Sequence, residues 1–255
     1  MRIFIVTQED PFYIPRFFKR FLQRQEEGIT IVGVMIQQPL GNRTARGLAQ
    51  RIWSLYGTVG FGVMGFRYLW RRVLRLLGPF APTVTAYCTG AGVPVVPGQS
   101  VNTAEFVAYV LREKIDLIVS VSASQIFKEP LLSTPPMGCI NLHNAPLPAY
   151  RGMLPNFWQL YHHETKSVLT IHRMVAELDG GAILLQRETP IPEKMSLEQL
   201  IRTTKESSAD ALWDLLVQMR DGTSTERPMP ETGGSYFTWP TRQQARELQR
   251  RRRLL

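Results

Sequence analysis

The sequence predicts an α/β fold with a Rossmann-like, mostly parallel sheet flanked by helices. Three observations support this fold class: short apolar runs typical of buried strands, amphipathic segments that alternate with them, and a chain long enough for a substantial core. The chain has 255 residues, of which 44% are hydrophobic and 20% charged. We therefore expect one α/β domain, alone or with a small appendage.

The first half of the chain opens with a βαβ unit. Apolar strands are predicted at 2–6 and 29–36, with a helix at 14–27 between them. A polar cap precedes a second helix at 101–114, and a buried strand follows at 115–122. No G-x-G-x-x-G or Walker motif follows any of these strands, which disfavours a nicotinamide or ATP site.

The second half continues the sheet and then closes it. Two strands are predicted at 167–175 and 181–191, and the turn sequence AELDGG joins them. A long amphipathic helix at 196–219 follows. The only cysteines, Cys88 and Cys139, lie far apart, so neither a disulfide framework nor a zinc site is indicated, and a reducing cytoplasm fits best.

Residues 42–80 form a basic insertion between the opening unit and the helix at 101–114. Apolar residues recur there at helical spacing, whereas Arg67, Arg71 and Arg75 line the other side. The apolar positions are Phe66, Leu69, Trp70, Val73, Leu74 and Leu77. This helix at 66–77 is expected to pack its apolar stripe on the core; the alternative is that it lies in a membrane interface.

The formal net charge of +9 is unevenly distributed. No acidic residue lies between Glu27 and Glu105, and a run of four arginines occupies 250–253. The acid-free interval contains arginines at 43, 46, 51, 67, 71, 72 and 75. Such patches attract phosphates, nucleic acid or anionic lipid, or they only solvate helix faces. No signal peptide or membrane-spanning run is recognised.

The segment CINLHNAPLPAYRG, at 139–152, contains the strongest chemical signal. Asn141 and His143 end an apolar strand and share one face of it, and Pro146 and Pro148 stiffen the loop that follows. Taken alone, His143 is expected to have a structural role through hydrogen bonds, and Asp179 is expected to form a turn. The carboxyl end of such a strand is nevertheless where open α/β sheets bind ligands.

Three motifs in order, N-x-H, then L-P-x-x-R-G, then L-D-G-G, resemble the folate-dependent formyltransferase family. That family includes glycinamide ribonucleotide, methionyl-tRNA and amino-sugar formyltransferases. The likeness is strong from about residue 115 to 191 and weaker over the first strands. It implies a catalytic unit at 1–222, with the insertion at 42–80, and a C-terminal extension with a basic tail at 223–255.

The resemblance implies a catalytic triad of Asn141, His143 and Asp179. Formyl transfer from 10-formyltetrahydrofolate to an amine passes through a tetrahedral oxyanion, which needs a hydrogen-bond donor and a proton acceptor. Asn141 would donate to the oxyanion. His143 would help to stabilise it and handle protons, and Asp179 would orient the imidazole and, through water, take the amine proton.

The same likeness implies the binding residues. The folate is expected to contact, mainly through backbone groups, Ser122, Ala123, Ser124, Gln125, Ile126, Leu178 and Asp179. Arg151 and Gly152, which end the proline loop, are expected on the acceptor side, and no metal is implied. Trp158 is expected to pack in the fold, with lining of the acceptor cleft as the alternative. The other histidines, His162, His163 and His172, are expected to be surface or strand residues.

The preferred acceptor is the primary amine of a nucleotide-linked amino sugar, because GMLPNFWQLYHHE most resembles sugar formyltransferases. The alternatives are methionyl-tRNA, hydrolysis of formyltetrahydrofolate, and a non-catalytic basic binding module on this scaffold. We expect a cytoplasmic protein, with peripheral membrane contact through the 66–77 helix as an option. The oligomeric state stays open.

Overall fold

The computed structural model describes residues 1–38, 45–78, 82–98, 100–251 and 255. Parts of two sequence features, the ends of the basic insertion and of the arginine run, therefore lie outside the described residues, including Arg43, Arg252 and Arg253. Seven strands form the main sheet. They are β1 (Arg2–Gln8), β2 (Thr30–Gln37), β3 (Val95–Val96), β4 (Leu117–Val121), β5 (Cys139–His143), β7 (Lys166–Arg173) and β8 (Ile183–Pro190).

Seven helices and a small second sheet complete the described fold. The helices are α1 (Ile14–Phe21), α2 (Ala45–Leu77), α3 (Val84–Gly90), α4 (Ala104–Arg112), α5 (Pro155–Tyr161), α6 (Leu197–Arg220) and α7 (Arg242–Arg251). The second sheet pairs β6 (Arg151–Gly152) with β9 (Tyr236–Phe237). A short 3-10 helix spans Leu131–Ser133.

The main sheet has the order β3-β2-β1-β4-β5-β7-β8, and it is parallel except at one end. Strand β7 runs antiparallel to both β5 and β8. The aromatic residues of α1 and the apolar side of α6 pack on one face of the sheet, and Phe106 and Val110 of α4 pack on the other. The predicted fold class is confirmed.

The ends of two helices differ from the prediction for local reasons. Helix α1 ends at Phe21 rather than at 27, because the polar residues 23–27 that follow its cap residue Leu22 offer no apolar side chain to the core. Helix α4 begins at Ala104, since the side chain of Thr103 accepts a hydrogen bond from the Phe106 N–H and caps it. Helix α6 begins with a capping box between Ser196 and Gln199.

The expectation that the apolar stripe of the 66–77 helix packs on the core is wrong. This segment belongs to the longer helix α2, in which Gly57 has a non-helical backbone with φ of 68°. Phe66, Leu69 and Trp70 are exposed. The arginine side faces the protein instead, because Arg67 forms an ion pair with the buried carboxylate of Glu198 on α6.

The C-terminal extension folds back onto the rest of the chain. Strand β9 pairs with β6, and Arg227 exchanges backbone hydrogen bonds with Ile183 of β8. Trp158 packs in the fold as expected: it is buried and stacks on Phe237 with the ring centroids 4.6 Å apart. The division of the chain at residue 222 stays a prediction. In the part of the chain that the structure describes, no helix has the length and apolar character needed to cross a bilayer.

Candidate active site

Asn141 and His143 lie at the carboxyl end of β5, and the strand periodicity of two places both side chains on one face. The register with β7 sets their neighbours, because Asn141 lies opposite His172 and His143 lies opposite Thr170. The Asn141 amide nitrogen is 3.2 Å from His172 Nε2. Asn141 and His143 therefore form a cluster of polar side chains with His172 and Thr170 of the neighbouring strand β7.

His143 is buried, and its neighbours define its tautomer. Its Nε2 lies 2.9 Å from the carbonyl oxygen of Tyr150, which only accepts hydrogen bonds, so Nε2 carries the proton. Its Nδ1 lies 4.0 Å from Asp179 Oδ2. Burial lowers the pKa of His143 below its usual 6.5, and this effect outweighs the opposing influence of Asp179. A neutral ring with an unprotonated Nδ1 at neutral pH follows.

Asp179 is held in the β7–β8 loop with a left-handed backbone, φ 52°. Its Oδ2 accepts a hydrogen bond from the Gly152 N–H at 3.3 Å, and its Oδ1 lies 3.6 Å from His172 Nε2. Burial raises the pKa of this carboxyl, but His172, His143 and the Gly152 N–H together bring it below its usual 3.8. Asp179 is therefore a buried carboxylate at neutral pH.

The turn that presents Asp179 needs a glycine. A Cβ atom on Gly181 would lie only 2.2 Å from the carbonyl oxygen of Arg173. The loop can close onto the end of β7 only because position 181 lacks a side chain. The AELDGG sequence thus forms a tight return that points Asp179 at the histidines.

His172 is a site residue that the sequence reasoning missed. It lies on β7 as predicted, but it is buried between Asn141 and Asp179 rather than on the surface. Its Nδ1 is 2.8 Å from the Arg173 carbonyl oxygen, and its Nε2 faces the Asn141 amide nitrogen at 3.2 Å and the Asp179 carboxylate at 3.6 Å. The alternation of residues along β7 places His172 and Thr170 on the same face of the strand, which the sequence alone indicates. Only the register with β5 shows that this face points to the site.

Lys205 is a second residue that the sequence reasoning missed. Its ammonium group reaches from α6 and donates to Ser122 Oγ at 2.7 Å, at the carboxyl end of β4. Burial lowers the pKa of Lys205 to about 8. Its charge also lowers the pKa of His143. No local pattern in the sequence indicates this contact, because α6 is more than eighty residues from β4 along the chain.

The proline loop brings Gly152 to the site and turns the Arg151 side chain aside. Arg151 Nη1 donates to Glu177 Oε1 at 2.8 Å, whereas the Gly152 N–H meets Asp179. Gly152 has φ of 96°, and a Cβ there would lie 2.3 Å from the Phe237 carbonyl oxygen. The expected acceptor role of Arg151 and Gly152 stays a prediction.

The segment 122–126 crosses the carboxyl ends of the parallel strands. Ser124 donates to the buried Gln37 Oε1 from both N–H and Oγ, at 3.0 and 3.1 Å. Gln125 Oε1 accepts from the Val101 N–H at 3.1 Å. Ile126 is exposed, as is Leu178. The side chains of Ser124 and Gln125 thus hold the loop in place, and the expected folate contacts of this segment and Leu178 stay predictions.

A cationic cleft of about 470 Å³ opens between α1, α2 and the start of α6. Its charged lining consists of one acid, Glu198, and five bases: Arg16, Lys19, Arg67, Arg71 and Arg202. The rings of Phe12, Trp70 and Tyr87 also line it. Arg202 in the cleft lies one helical turn before Lys205 on α6. The cleft suits a ligand that carries phosphate groups and an aromatic ring.

Sequence and structure comparisons identify relatives. The profile of a family described as "Formyl transferase" matches residues 88–216, just over half of the chain. A methionyl-tRNA formyltransferase of Ruminiclostridium cellulolyticum is 31% identical over 156 residues, 61% of this chain and 50% of the relative. One from Syntrophus aciditrophicus is 35% identical over the same length and the same shares. The chain thus spans about half the length of the curated relatives it matches.

Solved structures share the fold at low identity. The sugar 3N-formyl transferase WlaRD, solved in the presence of dTDP and 5-N-formyl-THF, gives a TM-score of 0.58 at 15% identity, covering 93% of this chain and 69% of that chain. A phosphoribosylglycinamide formyltransferase from Anaplasma phagocytophilum gives 0.61 at 13%, covering 93% and 97%. The matched region contains the Asn141, His143 and Asp179 motifs. By this match, the chain belongs to the formyl transferase family.

Proposed function

We propose that this protein transfers the formyl group of 10-formyltetrahydrofolate to a primary amine. One observation carries the proposal: an amide donor, a neutral histidine and a buried carboxylate converge at the carboxyl end of β5. Asn141, His143 and Asp179 reach this point from two separate motifs. Membership of the formyl transferase family gives the same reaction class.

The reaction forms a bond between the amine nitrogen and the formyl carbon, and breaks the bond between that carbon and N10 of the folate. The carbonyl oxygen becomes an oxyanion in the tetrahedral intermediate. The Asn141 amide nitrogen lies 3.2 Å from His172 Nε2 and carries two hydrogens, so that one of them is proposed to reach the oxyanion. A positioned donor of this kind is worth about a hundredfold or more in turnover.

The proton released by the attacking amine passes to the His143 and Asp179 pair. His143 presents an unprotonated Nδ1 toward the Asp179 carboxylate, 4.0 Å away. Protonation of Nδ1 would create a cation beside an anion that is already in place, which stabilises the imidazolium. The proton then returns to N10 of the departing tetrahydrofolate, so that the pair ends the cycle as it began.

The expected folate wall fits an aromatic donor. Ile126 and Leu178 expose apolar side chains on two loops that follow β4 and β7, while the polar side chains of Ser124 and Gln125 are engaged within the fold. We propose that backbone groups of residues 122–126, together with Leu178 and Asp179, hold the pterin of the formyl donor. Arg151 and Gly152 are proposed on the acceptor side.

For the acceptor we propose a nucleotide-linked amino sugar. The cationic cleft supports this choice, because Lys19 and Arg71, which are outside the ion pairs of Arg16, Arg67 and Arg202, suit a diphosphate and its three rings suit a nucleobase. Methionyl-tRNA is the second candidate, and the sequence identity to methionyl-tRNA formyltransferases supports it. The same basic surfaces would then contact RNA phosphates. A cytoplasmic place of action stays a prediction.

The test is release of tetrahydrofolate from 10-formyltetrahydrofolate with a panel of acceptors. Release that requires one nucleotide-linked amino sugar would support the proposed acceptor. Release only with methionyl-tRNA would establish the second candidate instead. Release without any acceptor would indicate hydrolysis, and folate binding without release under every condition would indicate a non-catalytic scaffold.

A further inference from the structure

Helix α2 presents an apolar face to the outside of the molecule. The residues of this face are 38% to 86% exposed where a packed helix would bury them. The face, called the outer face below, consists of Val59, Val63, Phe66, Leu69, Val73, Leu76 and Leu77. Phe66 stacks on Trp70, which lies at the edge of this face where the cationic cleft begins, with the ring centroids 6.4 Å apart.

The outer face is a continuous stripe along the helix. At about 100° per residue its members fall within an arc of about 140°, and the span from Val59 to Leu77 measures about 27 Å. Arg67, Arg71 and Arg75 lie on the opposite side of the same turns. A helix of this pattern lies along a membrane surface with its apolar side in the lipid.

Contacts on the other side of α2 fix this orientation. Arg67 Nη1 donates to the two carboxylate oxygens of Glu198 at 3.0 and 2.9 Å. The guanidinium of Arg71 lies 5.6 Å from the ring centroid of Phe12, and Met64 is buried. Rotation of the helix to bury the outer face would break this ion pair, so the exposure is built into the fold.

The charge around the outer face selects the partner. The described part of α2 contains only basic charges, and α7 packs beside its first half, with the Arg242 guanidinium 4.0 Å from the Trp53 ring centroid. Arg72 on α2, and Arg246 and Arg250 on α7, are exposed. Trp and Tyr side chains, which are favoured at lipid headgroup depth, occur along α2.

We propose that the outer face of α2 binds an anionic lipid membrane, with the apolar stripe in the acyl region and the exposed bases Arg72, Arg246 and Arg250 at the headgroups. A second copy of the chain fits less well. Pairing two outer faces would bring the exposed Arg72 at the edge of each face near the other copy without acidic partners on α2, and like charges at such an interface are repulsive. An anionic bilayer satisfies both the apolar and the basic character of the surface.

The test is flotation of the full chain with vesicles of phosphatidylcholine alone or with phosphatidylglycerol. We expect binding to the phosphatidylglycerol vesicles that weakens as salt is added. Leu69→Glu should reduce this binding at least about tenfold, since it places a charge in the lipid. Leu111→Glu is the matched control: Leu111 on α4 is 62% exposed and Leu69 60%, so both changes spare the core.

Three results would overturn the proposal. The first is that the full chain does not bind phosphatidylglycerol vesicles. The second is that Leu69→Glu and Leu111→Glu reduce vesicle binding equally. The third is that light scattering shows the wild type to be a dimer and the Leu69→Glu variant to be a monomer. The last result would assign the outer face to a second copy. Formyl transfer to a water-soluble acceptor is measured separately, so failure of the membrane proposal and failure of the proposed function remain distinguishable.

Discussion

At the residue scale, the site depends on a cation that does not belong to the motifs. Lys205 donates to Ser122 Oγ from a different helix, and its charge lowers the pKa of His143. The burial of His143 acts in the same direction. Together they keep the imidazole neutral, and therefore able to accept a proton, at and below neutral pH.

Lys205→Met tests this electrostatic coupling. Loss of the cation should raise the pKa of His143, so the acid limb of the pH dependence of kcat/KM should shift to higher pH. Lys194→Met, at an exposed position, is the control and should leave the limb unchanged. An unshifted limb in the Lys205 variant would show that His143 does not respond to this charge.

His143 also predicts a pH dependence of stability. Its folded pKa lies below the unfolded value of 6.5, so the unfolded state binds more protons, and the free energy of unfolding should fall as pH decreases from 6.5. Urea unfolding of wild type and His143→Gln at several pH values checks this. Glutamine can still donate to the Tyr150 carbonyl, and the variant should lose less stability between pH 7 and 5. Equal slopes would contradict the neutral assignment.

At the element scale, the period-two pattern of the strands and the order of the motifs predicted most of the sheet. They also predicted that the side chains of Asn141 and His143 lie on the same face of one strand. The place of Asp179 followed from family resemblance, since a turn sequence alone does not say where a turn points. The positions of His172 and Lys205 in the site are visible only in the three-dimensional structure, because their partners lie on elements that are distant along the chain.

The orientation of α2 is a second feature that local sequence patterns do not determine. Its periodicity correctly separates an apolar stripe from an arginine stripe, but periodicity does not state which stripe faces the protein. The buried carboxylate of Glu198 decides this, and its partner Arg67 is over a hundred residues away along the chain.

Arg67→Met and Arg72→Met form a matched pair on this helix. Arg67→Met removes one partner of the buried Glu198, which keeps Arg202, so we expect a loss of about 1 kcal/mol in the free energy of unfolding. Arg72 is exposed, and its replacement should change stability by less than about 0.5 kcal/mol. Urea unfolding measures both, and equal effects would mean that the ion pair does not hold α2.

At the scale of the whole molecule, the C-terminal extension contacts the loop that ends at the candidate site, and Gly152 is one point of contact. Gly152 pairs with Phe237 of β9 and also donates its N–H to Asp179. The extension and the Asp179 carboxylate therefore share a contact through Gly152, although Phe237 and Asp179 are 58 residues apart along the chain.

Gly152→Ala should disturb both partners. The new Cβ would clash with the Phe237 carbonyl oxygen 2.3 Å away, at a backbone φ of 96° that disfavours alanine. We expect a loss of about 1 to 3 kcal/mol in stability and a lower kcat. Gly234→Ala is the control, because its Cβ would meet Pro148 at ordinary contact distances of 3.7 to 3.8 Å. Equal behaviour of the two variants would refute the link.

The central claim is that formyl transfer to an amine takes place at Asn141, His143 and Asp179. The most direct measurement follows carbon-13 from labelled 10-formyltetrahydrofolate into the acceptor, with wild type and Asn141→Ala in parallel and thermal unfolding as the check on folding. We predict label in the amine product of the wild type, and a rate lower by about a hundredfold or more in a variant that still folds. Equal rates, or label that never leaves the folate for an amine, would contradict the account.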